Sequence, residues 1–157
     1  MLVSAPIRSS THPGTSSVDS FTVTTTRVTS PTVAVVGGGQ LARMMAQAAV
    51  GLQVHLVALV ESPTSSTAQV VPDSVVGVAS DAAALTALAE RADVLTFEHE
   101  HVPNDTLTAL REAGHAVEPG PQALIAAQDK IVMREKLTEL GIPCPRWRVA
   151  TSAADVT

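Results

Sequence analysis

The chain has 157 residues, of which 45% are apolar, and a formal net charge of −5, so it can bury the core of one compact domain. Its acidic balance and its few aromatic residues, two Phe, one Trp and no Tyr, argue against the basic, aromatic-lined grooves that bind nucleic acids. The single cysteine, Cys144, excludes an intrachain disulfide, and no apolar run approaches the length of a membrane span, so we expect a cytoplasmic protein.

The first 31 residues form the first distinct segment of the chain. They are rich in Ser and Thr and carry only scattered apolar residues. They lack both the apolar core of a secretory signal and an amphipathic helical period. This composition predicts a disordered N-terminal extension.

From Thr32 onward, short apolar runs alternate with helical patterns, which is typical of βαβ units and a parallel sheet. We therefore expect an α/β protein with a parallel sheet. Strands are predicted over residues 32–36, 53–60, 75–78, 94–98, 116–118 and 147–150. Helices are predicted over residues 40–50, 82–91, 103–113, 122–127 and 129–140, with a last one starting after residue 152.

The glycine run Gly37-Gly38-Gly39, between the first strand and the first helix, is the first chemical signal. At such a turn the backbone N–H groups and the positive end of the helix dipole face a bound anion. Gly37, Gly39 and Ala42 fit the dinucleotide pattern G-x-G-x-x-A, and Glu61 follows the second strand, where a ribose would bind. An NAD(P)-binding module is therefore one interpretation. A tight turn with close helix–strand packing is the other.

The second signal is Glu98-His99-Glu100-His101, at the carboxyl end of the fourth strand, where open α/β sheets bind ligands. If the strand alternation continues, the two Glu face one way and the two His the other, so the four do not converge on a metal. We therefore predict no metal site. A carboxylate here would accept hydrogen bonds from a substrate amine or a ribose hydroxyl, whereas solvated side chains are the alternative.

The third signal is Gln128-Asp129-Lys130, with Arg134 one helical turn further along. Lys130 and Arg134 lie at i and i+4 on one helix face, which suits a polyphosphate and equally suits a solvated basic stripe. Cys144 lies between two prolines with no base beside it in the sequence, so we do not expect it to act as a nucleophile.

In this order and at these separations, the three segments resemble the N-terminal region of the N5-carboxyaminoimidazole ribonucleotide synthetases, which are ATP-grasp ligases. The resemblance covers residues 33–149. It implies a Rossmann-like pre-ATP-grasp domain over residues 32–127 and the truncated beginning of an ATP-grasp domain over residues 128–157. The family commonly has an aromatic residue and an Asn where this chain has His99 and His101, and the sequence assigns these two side chains no role.

The resemblance implies the carboxylation of 5-aminoimidazole ribonucleotide by bicarbonate in purine biosynthesis, with conversion of ATP to ADP and phosphate, by a homodimer. It implies that Gly39, Gln40, Leu41 and Glu98 bind the ribonucleotide and that Lys130 binds ATP. The Mg²⁺ ligands and most ATP contacts are expected beyond residue 157, so we name no catalytic residue and expect the chain alone to be inactive. Two alternatives stay open: another ATP-grasp ligase, of the glycinamide ribonucleotide transformylase or biotin carboxylase type, and the NAD(P)-binding module.

Overall fold

The computed structural model describes residues 30–156, so the predicted disordered extension lies, apart from its last two residues, outside the described residues. Strands and helices alternate along this range. In chain order they are β1 (Thr32–Val36), α1 (Gln40–Leu52), β2 (His55–Val60), β3 (Ser74–Val76), α2 (Ala82–Ala89), β4 (Val94–Phe97), α3 (Asn104–Glu112), α4 (Pro121–Gln128), α5 (Lys130–Glu139) and a 3₁₀ helix (Ala153–Val156).

The four strands form one parallel sheet in the order β3-β2-β1-β4, which confirms the predicted α/β class with a parallel sheet. In the central strand, Val36 lies opposite Leu59 of β2 and Phe97 of β4. Because the strands are parallel and in this register, the segments that follow β1, β2 and β4 meet at one edge. The glycine run, Glu61 and Glu98 are thereby brought together although they are far apart in the sequence.

Helices cover both faces of the sheet, and this explains why the strands read as continuous apolar runs. On one face, Val35 and Ala58 belong to a buried cluster with Ala42 and Ala49 of α1. On the other face, α2 and α3 bury a larger cluster, which contains Val36, Leu59, Leu85, Leu88, Leu95 and Leu107. Each buried Leu contributes about 1.5–3 kcal/mol, so these two layers hold the sheet edge in place.

Side chains cap two of the five α-helices in the described part of the chain. Asp81 and Asp129 cap α2 and α5, each accepting hydrogen bonds from two backbone N–H groups of the first helical turn. The N-cap residue of α1 is Gly39, which has no side chain with which to cap the helix. The N–H groups at the start of α1 therefore need a partner from elsewhere in the chain.

Two predicted strands are wrong. Residues 116–118 form a single bridge, in which Val117 lies opposite Leu95, because the chain bends at Glu118 and Pro119 directly after it. Residues 147–150 form no strand, since no neighbouring strand in the described part of the chain is available to pair with them. Among residues 30–156, no helix is long and apolar enough to cross a membrane.

Candidate functional site

The glycine run makes a turn that only glycine can make. Gly37 has φ +138°, a conformation that L side chains rarely adopt, and a Cβ atom there would overlap the side chain of Glu98. At Gly38, a Cβ atom would lie 2.6 Å from Oε2 of Glu61. The turn is therefore enclosed by two carboxylates, one from the end of β4 and one from the end of β2.

Glu98 supplies the cap that α1 lacks. Its Oε1 accepts a hydrogen bond from the backbone N–H of Gly39 at 2.6 Å, and its Oε2 accepts one from the N–H of Ala42 at 2.7 Å. These short, charge-assisted bonds place a carboxylate at the positive end of the helix dipole. The two N–H groups that a dinucleotide pyrophosphate would use are thus occupied by the protein's own carboxylate, which counts against the NAD(P) interpretation.

A second contact fixes the carbonyl side of the same turn. Thr67 is fully buried; its hydroxyl donates to the carbonyl of Gly39 at 2.8 Å, and its backbone N–H donates to the carbonyl of Gly38 at 3.0 Å. Arg43 of α1 donates to the carbonyl of Ser66 at 2.9 Å, which ties the same loop to the helix. No pattern in the sequence singles out Thr67, because a Thr in a Ser- and Thr-rich loop carries no spacing signal.

The structure brings together the four residues that the resemblance implies for the ribonucleotide. Gly39, Gln40 and Leu41 form the start of α1, and Glu98 reaches them from β4. Leu41 is 57% exposed, and the exposed side chain of Gln40 accepts a hydrogen bond from the hydroxyl of Ser66 at 3.2 Å. The group is therefore an accessible cluster at the carboxyl edge of the sheet.

The alternation expected for residues 98–101 is wrong, because β4 ends at Phe97 and the chain then turns. His99 instead extends toward the end of β2, where its Nε2 lies 3.9 Å from Oε1 of Glu61. Its Nδ1 accepts a hydrogen bond from the backbone N–H of His101 at 3.3 Å, and the two imidazole rings are 5.3 Å apart. Within residues 30–156, no group of three or more His, Cys, Asp or Glu side chains is arranged to hold a metal ion.

Lys130 belongs to the same edge through a short chain of contacts. The Nε2 group of Gln128 donates to the carbonyls of Glu100 at 2.7 Å and Val102 at 3.0 Å, which joins the end of α4 to the loop after β4. The pKa of Glu100 is lowered chiefly by a hydrogen bond from its own backbone N–H, then by nearby His101 and, more weakly, by Lys130. Gln128 belongs to the third sequence motif, but the motif did not predict that it links the end of α4 to the loop after β4.

Lys130 and Arg134 of α5 have different surroundings. Lys130 is exposed, and its ammonium group donates to the carbonyl of Ala127 at 3.1 Å. The guanidinium of Arg134 donates to Sγ of Cys144 at 2.9 Å, so it is directed toward the segment after α5. Of the two, Lys130 is the residue placed near the loop that follows β4.

Comparison with known proteins relates the chain to one family. The family model described as "Ribonucleotide synthetase preATP-grasp domain" matches residues 30–128. The N5-carboxyaminoimidazole ribonucleotide synthase of Mycobacterium tuberculosis (strain H37Rv) is 52% identical over 128 residues, which is 82% of this chain and 30% of that protein. The chain thus spans about 30% of the length of such curated relatives.

Solved structures agree with the sequence matches. The N5-carboxyaminoimidazole ribonucleotide synthetase of Thermotoga maritima gives a TM-score of 0.74 at 30% identity, over 80% of this chain and 35% of that one. The Aspergillus clavatus synthase, solved with ADP and 5-aminoimidazole ribonucleotide, gives a TM-score of 0.72 at 32% identity, over 81% of this chain and 34% of that one. On the match to residues 30–128, the chain belongs to the ribonucleotide synthetase preATP-grasp domain family.

Proposed function

We propose that the chain is the N-terminal part of a 5-(carboxyamino)imidazole ribonucleotide synthase. In this proposal the whole enzyme joins bicarbonate to the exocyclic amine of 5-aminoimidazole ribonucleotide, with conversion of ATP to ADP and phosphate, in cytoplasmic purine biosynthesis. The relatives that match over four fifths of the chain carry this name, and one matched structure contains the ribonucleotide itself. Assembly as a homodimer belongs to the same proposal.

The observation that carries the proposal is the contact between Glu98 and the start of α1. With Glu98 bonded to Gly39 and Ala42, the edge offers a carboxylate and exposed helix-start residues in place of a free phosphate site. Carboxylate oxygens accept hydrogen bonds from hydroxyl and amine groups, both of which an aminoimidazole ribonucleotide presents. The role of this domain is then to bind and orient the amine-bearing ribonucleotide, which lowers the entropic cost of its reaction.

ATP and Mg²⁺ enter the proposal mainly through the rest of the protein. The exposed ammonium group of Lys130 suits an ATP phosphate, and residues 128–157 would begin the ATP-grasp domain that follows residues 32–127. In the described range, no side-chain cluster suits a Mg²⁺ ion. We therefore propose that the Mg²⁺ ligands of the whole enzyme lie beyond residue 157. When bound, ATP would supply the activation of bicarbonate, and the 157 residues alone would not catalyse the reaction.

The alternatives make different ligand predictions. An enzyme of the glycinamide ribonucleotide transformylase or biotin carboxylase type would share this fold, but the relatives reported above favour the aminoimidazole substrate. An NAD(P)-binding module needs the N–H groups of Gly39 and Ala42 for phosphate, and Glu98 occupies both. A dinucleotide phosphate bound there would lie against the Glu98 carboxylate, and the repulsion between these two anions is unfavourable.

Ligand titration followed by ¹⁵N NMR distinguishes these alternatives. We expect 5-aminoimidazole ribonucleotide to shift the amide signals of Gly39 and Ala42, with NADH and glycinamide ribonucleotide leaving them unchanged at equal concentration. Glu98→Ala should weaken ribonucleotide binding about tenfold or more, as expected for loss of a charged hydrogen-bond acceptor. The matched control is Glu112→Ala, an exposed Glu at the end of α3. Tight NADH binding, or equal affinity of both variants, would overturn the proposal.

A further inference from the structure

The pair formed by Glu61 and His99 lies over the glycine run and has no part in capping α1. Glu61 follows β2, His99 follows β4, and the glycine run of β1 lies between these two strands in the sheet. The Oε2 atom of Glu61 is 2.6 Å from where a Cβ atom on Gly38 would be, so the pair lies directly beside the turn. It is accessible, because the His99 side chain is 24% exposed and that of Glu61 is 52% exposed.

The proton of the His99 imidazole can be placed from its hydrogen bond. Nδ1 accepts from the backbone N–H of His101 at 3.3 Å, so in the neutral ring the proton is on Nε2. A protonated Nε2 is a hydrogen-bond donor and cannot ligate a metal ion. The site therefore consists of one N–H donor and one carboxylate acceptor whose polar atoms are 3.9 Å apart.

The spacing of these two groups allows one atom to bridge them from the side. Nε2 of His99 and Oε1 of Glu61 are 3.9 Å apart, which exceeds the usual hydrogen-bond length of about 2.7–3.2 Å. An oxygen atom about 2.8 Å from each would form hydrogen bonds with both. It has to accept from the imidazole N–H and donate to the carboxylate at the same time.

Among groups of biological ligands, a hydroxyl meets both requirements. A phosphate or bicarbonate anion would be repelled by Glu61, and by Glu98 at the neighbouring turn. An ammonium group has no lone pair to accept from the imidazole, and an aromatic amine is a poor acceptor. A hydroxyl both donates and accepts, and it is neutral.

We propose that Glu61 and His99 form a hydroxyl-binding subsite that holds a ribose hydroxyl of the ribonucleotide. The inference rests on the proposed function, because that function supplies a ribose-bearing ligand at this edge.

The test compares 5-aminoimidazole ribonucleotide with its 2′-deoxy and 3′-deoxy analogues on the 157-residue chain. We expect one of the two analogues to bind about tenfold more weakly than the ribonucleotide to the wild type. His99→Phe, which keeps an aromatic ring, should weaken ribonucleotide binding about threefold to tenfold, and Glu61→Gln about tenfold. For the double variant the losses should not add, because both side chains would bind the same hydroxyl. His115→Phe is the matched control and should bind like the wild type.

A measurement on the wild type makes the test independent of variant folding. Long-range ¹H–¹⁵N NMR should show the Nε2–H tautomer of His99 in the free chain, and the Nε2 signal should move with the ribonucleotide and not with the weaker deoxy analogue. If the ribonucleotide binds equally well to the wild type, His99→Phe and Glu61→Gln, the subsite is refuted and the proposed function stands. Equal binding of all three ligands also refutes the subsite. If the ribonucleotide does not bind the wild type at all, both proposals fail.

Discussion

Replacing Glu98 by Ala tests whether this carboxylate holds α1 to the sheet. Its two oxygens accept short hydrogen bonds from Gly39 and Ala42, at 2.6 Å and 2.7 Å. A hydrogen bond to a charged group contributes about 1.5–3 kcal/mol to stability. Glu98 is only partly buried, so water can replace part of each bond, and we take the lower value for each. The expected loss of unfolding free energy is therefore about 3 kcal/mol.

Glu98→Gln separates the charge of the side chain from its shape. The amide keeps one oxygen as an acceptor, but it places an NH₂ group against the second backbone N–H. One of the two bonds is lost and the other becomes neutral, so we expect a loss of about 2 kcal/mol. Glu98→Ala should thus be the more destabilising of the two changes, because Ala leaves both N–H groups without a partner.

Urea unfolding followed by circular dichroism at neutral pH measures both losses. A loss of about 3 kcal/mol is a large part of the 5–15 kcal/mol that typically stabilises a domain, so the shift in midpoint should be clear. Glu112→Gln, an exposed Glu at the end of α3, is the matched control and should change stability by less than about 0.5 kcal/mol. A loss for Glu98→Ala as small as that of the control would refute the capping role.

Three further predictions use the same turn and the end of the chain. Thr67→Val removes the buried hydroxyl donor at the turn and should cost about 1–2 kcal/mol in urea unfolding, whereas an unchanged midpoint would contradict its role. Gly37→Ala should destabilise the protein by about 2 kcal/mol or more, because Gly37 has a φ of +138° and its Cβ position is occupied by Glu98. Gly51→Ala, in α1 with open space around it, should stabilise the protein by about 0.5–1 kcal/mol. Changes in stability of the same sign would refute this contrast. The pKa of Asp155 is lowered, first by hydrogen bonds from the backbone N–H groups of Thr151 and Ser152. The Asp155 carboxylate therefore stabilises the 3₁₀ helix above the unfolded pKa, and this stabilisation is lost as pH falls through the folded pKa. A ¹³C NMR titration of its carboxyl group should give a midpoint below the usual Asp value, and an ordinary midpoint would count against these bonds.

Most of the sheet could be predicted from the sequence because its two central strands, β1 and β2, are largely buried on both faces. Residues 32–36 and 94–97 are apolar runs bounded by turn residues, and the helical period between such runs indicates a parallel sheet. The helix starts at Asp81 and Asp129 could also be predicted, since capping depends on residues that are adjacent in the chain. In these regions the local pattern and the tertiary packing favour the same structure.

The remaining features depend on contacts that no local pattern encodes. The cap from Glu98 requires the β1–β4 register that sets Val36 opposite Phe97, and the sequence motif indicated only that Glu98 lies at a ligand-binding edge. The approach of His99 to Glu61 was missed because the strand alternation was extended beyond Phe97, where the chain turns. The strand expected over residues 116–118 is reduced to a bridge, because the chain bends at Glu118 and Pro119.

The capped turn also constrains how a nucleotide ligand can lie on this edge. Glu98 fills the anion position at the start of α1, and Glu61 adds a second carboxylate beside it, so this half of the edge favours neutral donors such as hydroxyl and amine groups. Gln128 joins the loop after β4 to the end of α4, and Lys130 follows directly with an exposed ammonium group. Phosphate groups are therefore favoured on the Lys130 side and sugar or amine groups on the glycine side. A ligand bound across both halves would be oriented by this difference in charge alone.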